Sequence, residues 1–98
     1  MRETLYRSTR ICRVMGNPVT FRLVEILMER HWITPSALAL KTHRAVSTIS
    51  GHLKNLRQVD LVRYEGKGNQ VRYRLKYPQK TRAILDALRK QVEISKGN

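Results

Sequence analysis

Cysteine is nearly missing from this chain, and that scarcity sets the first constraint. The lone Cys12 excludes an internal disulfide and any multi-cysteine zinc site within one chain. It reads as a small apolar residue on a helix, with a redox role as the alternative. Long apolar runs are also missing: none approaches the roughly 18 residues of a spanning helix, and the opening MRETLYRSTRICRV has no uninterrupted apolar stretch of the kind that directs secretion. A cytoplasmic protein is expected. There is no Gly-rich phosphate loop, no histidine paired with a nearby nucleophile motif and no carboxylate cluster, so neither catalysis nor a cofactor is expected. His31, His43 and His52 fall on separate elements without a His-x3-His pairing, and no metal is expected either.

Acidic residues are the third shortage. Seven Asp and Glu face 20 Lys and Arg, a formal net charge of +13 at pH 7. Such an excess repels itself in a compact state and is usually held for a polyanionic partner. Nucleic acid is the first candidate. An anionic membrane surface is the second, weakened by the absence of a long apolar run. The 98 residues leave room for one domain with a modest core, and at 41% apolar the chain is too hydrophobic to be disordered. One domain spanning 1–98 is expected, with no internal repeat.

The order of elements follows from period and punctuation. Leu5, Tyr6, Ile11, Cys12, Val14 and Met15 suit a helix α1 (2–15) with a partly buried stripe. Gly16-Asn17-Pro18 stops it and starts α2 (about 18–31), whose apolar face is Phe21, Val24, Ile26, Leu27 and Met28. Thr34-Pro35 repeats the start signal for a short α3 (about 35–40), and Lys41 to Arg44 is a polar connector. In α4 (45–59) Val46, Ile49, Leu53, Leu56 and Val59 recur every three or four residues. The period then becomes two: β1 (61–64) and β2 (71–76) flank Glu65 to Gln70, whose two glycines can take positive φ and close a basic hairpin. Pro78 breaks β2, and Ile84, Leu85, Leu88 and Val92 mark α5 (79–94), with 95–98 expected to fray.

A mainly α chain with a two-stranded β-hairpin, in the order α1-α2-α3-α4-β1-β2-α5, is a winged helix-turn-helix, in which α4 enters the major groove of a duplex and the hairpin reaches the backbone or minor groove. The residues also resemble the ArsR/SmtB regulators. The resemblance rests on Asn17-Pro18, Arg22, the run Ser47-Thr48-Ile49-Ser50-Gly51-His52-Leu53-Lys54-Asn55-Leu56-Arg57, Leu61-Val62 and Val71-Arg72-Tyr73-Arg74-Leu75. It covers roughly Val14 to Leu75. It implies a homodimeric, sequence-specific repressor of transcription on double-stranded DNA, in which 1–15 and 79–94 pair with their mates through Leu5, Cys12, Ile84, Leu88 and Val92. The alternative for these five is contact with their own core. The metal ligands of many members, a cysteine pair near the start of α3 or Asp and His on α5, have no counterparts here: 31–35 holds no cysteine and α5 offers Asp86 and Glu93 but no histidine.

On α4, Ser47, Thr48 and Ser50 are the candidates for base edges or phosphates, Val46 for a thymine methyl, and His52 lies among the DNA-facing positions, with a structural role as its alternative. Gly51 replaces a long polar reader, so either the backbone approaches something closely or side-chain readout is weaker there. Arg44, Lys54 and Arg57 suit phosphates. On the wing (63–76), Lys67, Arg72 and Arg74 are the candidates, since a two-residue period sends both arginines out from one face. Two other readings stay open: a weakly selective architectural DNA coater, and a winged-helix module contacting protein or RNA.

Overall fold

The computed structural model describes residues 2–97; the Lys67 side chain lies outside the described part. The order is α1 Glu3–Met15, α2 Pro18–Glu29, α3 Pro35–Thr42, α4 Val46–Gln58, β1 Val62–Lys67, β2 Gln70–Leu75 and α5 Pro78–Lys96. This is the expected winged helix-turn-helix.

Two helix starts are built as their sequences dictate. Asn17 Oδ1 accepts from the Val19 and Thr20 N–H groups at 2.9 and 3.2 Å, and Pro18 stands where a missing N–H is harmless. Thr34 Oγ1 accepts from Ala37 N–H in the same way, at 3.2 Å. α2 ends at Glu29, two residues before His31, because Arg30 turns extended and leads Ile33 into the sheet. There Ile33 and Tyr73 exchange backbone hydrogen bonds of 3.0 and 2.8 Å. α3 runs into the expected connector and stops at His43, whose left-handed backbone (φ 56, ψ 40) makes the turn into α4; histidine tolerates this region better than most side chains.

The hairpin is tighter than expected. Glu65, Gly66 and Lys67 pair with Arg72, Val71 and Gln70, leaving a two-residue turn in which Gly68 alone of the hairpin glycines takes positive φ. α5 starts at Pro78 and continues to Lys96, through part of the stretch expected to fray.

One core joins these elements. Leu23, Val24 and Leu27 of α2, Leu38 of α3, Ile49, Leu53 and Leu56 of α4, Leu75 of β2 and Leu85 of α5 are all fully or almost fully buried. At roughly 1.5–3 kcal/mol per buried aliphatic side chain, this cluster holds α4 against α2 and α3. α1 and α5 are less committed: α1 buries only Met15 and α5 only Thr81 and Leu85. Accordingly, the radius of gyration of 14.3 Å exceeds the roughly 13 Å of a compact chain of about 100 residues.

Candidate nucleic-acid interface

α4 has two unlike sides. Ile49, Leu53 and Leu56 face the core, whereas Val46, Ser47, Thr48, Ser50, Gly51, Lys54 and Arg57 are exposed, as is Arg44 in the turn before it. Val46, expected within the apolar stripe as well as on the groove side, is 46% exposed, because the first turn of α4 projects past the core. Unlike α2 and α3, α4 has no side-chain cap at its start, so its leading N–H groups are open to water or an anion. A Cβ built on Gly51 would meet nothing within 4 Å. The fold itself does not require glycine there.

His52 takes the structural role that was its alternative, at least through one ring nitrogen. It is half-buried, and its Nδ1 lies 3.0 Å from Oγ1 of the buried Thr20. One ring nitrogen therefore ties α4 to α2. Arg57 is also engaged within the chain: its guanidinium lies 3.6 Å from the centre of the Tyr64 ring, and Tyr64 stacks on Tyr73 at 5.9 Å. Stacking uses the face of the guanidinium and leaves its in-plane N–H groups for an anion. The column Arg57-Tyr64-Tyr73 thus fixes the end of α4 against the wing.

On the other side of the hairpin, Arg72 and Arg74 share a face as the period of two requires, but that face is not free. Both guanidinium groups lie over Trp32, at 4.8 and 5.1 Å from the ring centre. Arg72 is in addition hydrogen-bonded and ion-paired to Glu65, directly across the strands. Arg74 Nε is buried without a hydrogen-bond partner among the described residues. The expectation of two outward arginines is corrected to two arginines clamped on an indole. Lys67 stands at the hairpin end opposite Gln70. At the base of the wing, Lys76 Nζ donates to Asp60 Oδ1 at 2.8 Å; that hydrogen bond and the carboxylate charge hold the ammonium above the ordinary lysine range.

Two features escape the sequence reading. Arg63, opposite Arg74 on the same face of the hairpin, is exposed and has no ion pair among the described residues. Second, no Asp or Glu stands between Glu29 and Asp60, so the whole helix-turn-helix is free of acid. Lys41, Arg44, Lys54 and Arg57 have no carboxylate partner among the described residues. A count of acids by segment would have found this.

Away from α4, Leu5, Ile84, Leu88 and Val92 are between 41% and 52% exposed, and Cys12 is exposed too. α1, the start of α2 and α5 enclose a groove of about 660 Å3, lined by Ile11, Cys12, Met15, Phe21, Ile84 and Leu88 among others. Their own domain leaves Leu5, Cys12, Ile84, Leu88 and Val92 exposed. Among the described residues there is no group of three or more His, Cys, Asp or Glu able to hold a metal ion, and no helix is long and apolar enough to cross a membrane.

No family model matches the sequence, and no curated protein matches it. Solved structures do. The crystal structure of Mycobacterium tuberculosis Rv0081 superposes with a TM-score of 0.84 at 20% identity over 99% of this chain and 96% of that one. The homodimeric winged helix-turn-helix DNA-binding domain of Mb0332 from Mycobacterium bovis, a possible ArsR-family transcriptional regulator, gives 0.81 at 18% identity over 92% of this chain and 85% of that one. These two establish the fold. The cadmium metal-sensor CMTR from Mycobacterium tuberculosis is 31% identical over 80% of each chain, with a TM-score of 0.66. With that identity and coverage added to the shared order of elements, the chain belongs to the ArsR/SmtB-like winged helix-turn-helix transcriptional regulators.

Proposed function

We propose that this protein is a homodimeric repressor that binds a specific duplex DNA sequence, with α4 in the major groove and the wing on the backbone or minor groove. The acid-free, exposed side of α4 and its preceding turn carries this reading. Ser47, Thr48 and Ser50 offer short donors and acceptors to base edges, Val46 offers a methyl surface to thymine, and Arg44, Lys54 and the stacked Arg57 offer cations to phosphates. With Arg72 held by Glu65 and Arg74 by Trp32, Arg63 is the wing cation with the fewest ties among the described side chains; it joins Lys67 as a contact to the backbone.

The second copy covers the apolar groove. Leu5, Cys12, Ile84, Leu88 and Val92 belong to the two helices least committed to their own core, and the Mb0332 domain, of the same fold, is a homodimer. A two-fold axis along α1 and α5 presents two copies of α4 to half-sites one duplex turn, about 34–36 Å, apart. Occupying a promoter in this way excludes other proteins from it, and repression follows without further machinery.

The test is competition binding. Sites are first found by genome-wide capture of the tagged protein, and the recovered duplex is then set against random duplex at physiological salt. A regulator of this kind prefers its operator by roughly a thousandfold or more. Equal binding would leave the weakly selective coater, which the small Gly51 and apolar Val46 also suit.

A further inference from the structure

The start of α2, the end of α3 and the turn before α4 enclose a hollow of about 240 Å3 lined by Pro18, Val19, Arg22, Lys41, Thr42 and Arg44. Three of these side chains are cations and none is an acid. Their charges are poorly compensated. Arg22 reaches Glu25 only at 3.5 Å, and the same carboxylate receives Arg89 at 2.9 Å. Lys41 and Arg44 have no ion pair among the described residues. Three cations brought to one hollow in a chain already at +13 raise each other's energy unless an anion sits among them.

The backbone of α2 does not supply the attraction. Pro18 has no N–H, Val19 and Thr20 donate to Asn17 Oδ1, and Phe21 donates to the Asn17 carbonyl. Whatever binds here binds the side chains. Arg44 belongs both to this hollow and to the turn that opens α4, so the hollow is continuous with the proposed DNA face and lies beside it. A helix seated in a major groove about 12 Å wide has a phosphate backbone on each flank.

We infer that Arg22, Lys41 and Arg44 form a clamp for adjacent backbone phosphates of the duplex, one to each cation, outside the groove that α4 occupies. The clamp rests on the DNA-binding reading and adds Arg22 and Lys41 to it. It sets the angle and depth of α4 and reads no base.

Full-length Arg22→Gln and Lys41→Gln, singly and together, are compared with the wild type and with Lys90→Gln, which removes one exposed charge from α5. Binding to the recovered operator and to random duplex is measured between about 50 and about 200 mM salt. The slope of log affinity against log salt falls by about 0.9 for each phosphate no longer neutralised, so the drop in affinity across that fourfold range shrinks about 3.5-fold per phosphate. The change is equal on both duplexes, and Lys90→Gln keeps the wild-type slope. Arg22→Lys keeps it as well, which separates the charge of Arg22 from its packing should Arg22→Gln fold poorly. Wild-type slopes in Arg22→Gln and Lys41→Gln, with normal binding by the wild type, overturn the clamp and leave the DNA reading standing. A wild type that binds no duplex overturns both.

Discussion

Gly51→Ala separates what the fold needs from what the proposed interface needs. In the interior of an exposed helix, glycine costs about 1 kcal/mol relative to alanine, because it loses more backbone freedom on folding. The new Cβ meets nothing within 4 Å, so no clash opposes that gain and no packing adds to it. Stability is expected to rise by about 1 kcal/mol per protomer, which for a domain of this size moves Tm up by about 4 to 8 °C. Circular dichroism melts of both proteins at one protomer concentration measure it, since dimerisation makes Tm concentration-dependent. The same methyl lies in the middle of the side of α4 assigned to the groove, where a close-fitting backbone leaves it no room. Operator affinity is expected to fall by about tenfold or more, equivalent to about 1.4 kcal/mol. A stabilised protein with undiminished affinity would refute close approach at Gly51. A protein no more stable would refute the helical, solvent-open setting from which the magnitude was worked.

Three further substitutions probe the connections around α4. Thr20→Val removes the hydroxyl that meets His52 Nδ1 at nearly constant shape; a decrease of about 1 kcal/mol is expected in urea unfolding, and an unchanged midpoint would show that the bond adds nothing. Leu88→Asp places a carboxylate in the apolar groove and, in the proposed dimer, buries it unpaired. Sedimentation should then show a monomer of unchanged helicity, whereas a persisting dimer would place the interface elsewhere. Glu65→Gln frees Arg72 from its ion pair and removes a negative charge from the wing. Duplex affinity is expected to rise, with a salt slope steeper by about 0.9; an unchanged slope would mean that Arg72 stays on Trp32 in the complex.

What is legible in the sequence is local. Asn17-Pro18 and Thr34-Pro35 announce helix starts because the capping oxygen and the N–H groups it accepts lie within three residues of each other. The stripe Ile49, Leu53, Leu56 announces α4 because burial repeats with the helical turn. What is illegible depends on distant partners. The turn of His52 toward α2 is set by Thr20, 32 positions away in sequence, and a histidine among polar neighbours gives no sign of it. The period of two places Arg72 and Arg74 on one face correctly, but Trp32, which covers that face, stands on the other side of α4 in sequence. Ile33 joins the sheet through a single bridge to Tyr73, and one residue has no period to detect. Sequence pattern makes the hairpin turn too long because Glu65, Gly66 and Lys67 are poor strand formers singly and pair only across the ladder, Glu65 against Arg72.

The distribution of acids ties the two proposed surfaces together. The helix-turn-helix is not unusually rich in cations: Arg30, Lys41, Arg44, Lys54 and Arg57 are the five Lys and Arg between Glu29 and Asp60. Its bias comes from having no acid. The acids that pair lie elsewhere, and several lie on the helices of the proposed dimer, Glu3 with Arg7 on α1 and Asp86 with Arg89 and Glu93 with Lys96 on α5, while Glu25 of α2 reaches Arg89 of α5. Exposed pairs of this kind add little to stability, typically below about 1 kcal/mol each. In the proposed dimer their effect is rather to lower the field where two like-charged copies meet, while leaving it undiminished on the side assigned to DNA. Salt therefore acts oppositely on the two equilibria. Raising it screens the residual repulsion between protomers and so tightens or preserves the dimer, while it weakens duplex binding steeply. Sedimentation and duplex titrations across one salt series test this, and a dimer that dissociates in parallel with DNA release would show that ion pairs, not the apolar face of α1 and α5, hold the protomers together.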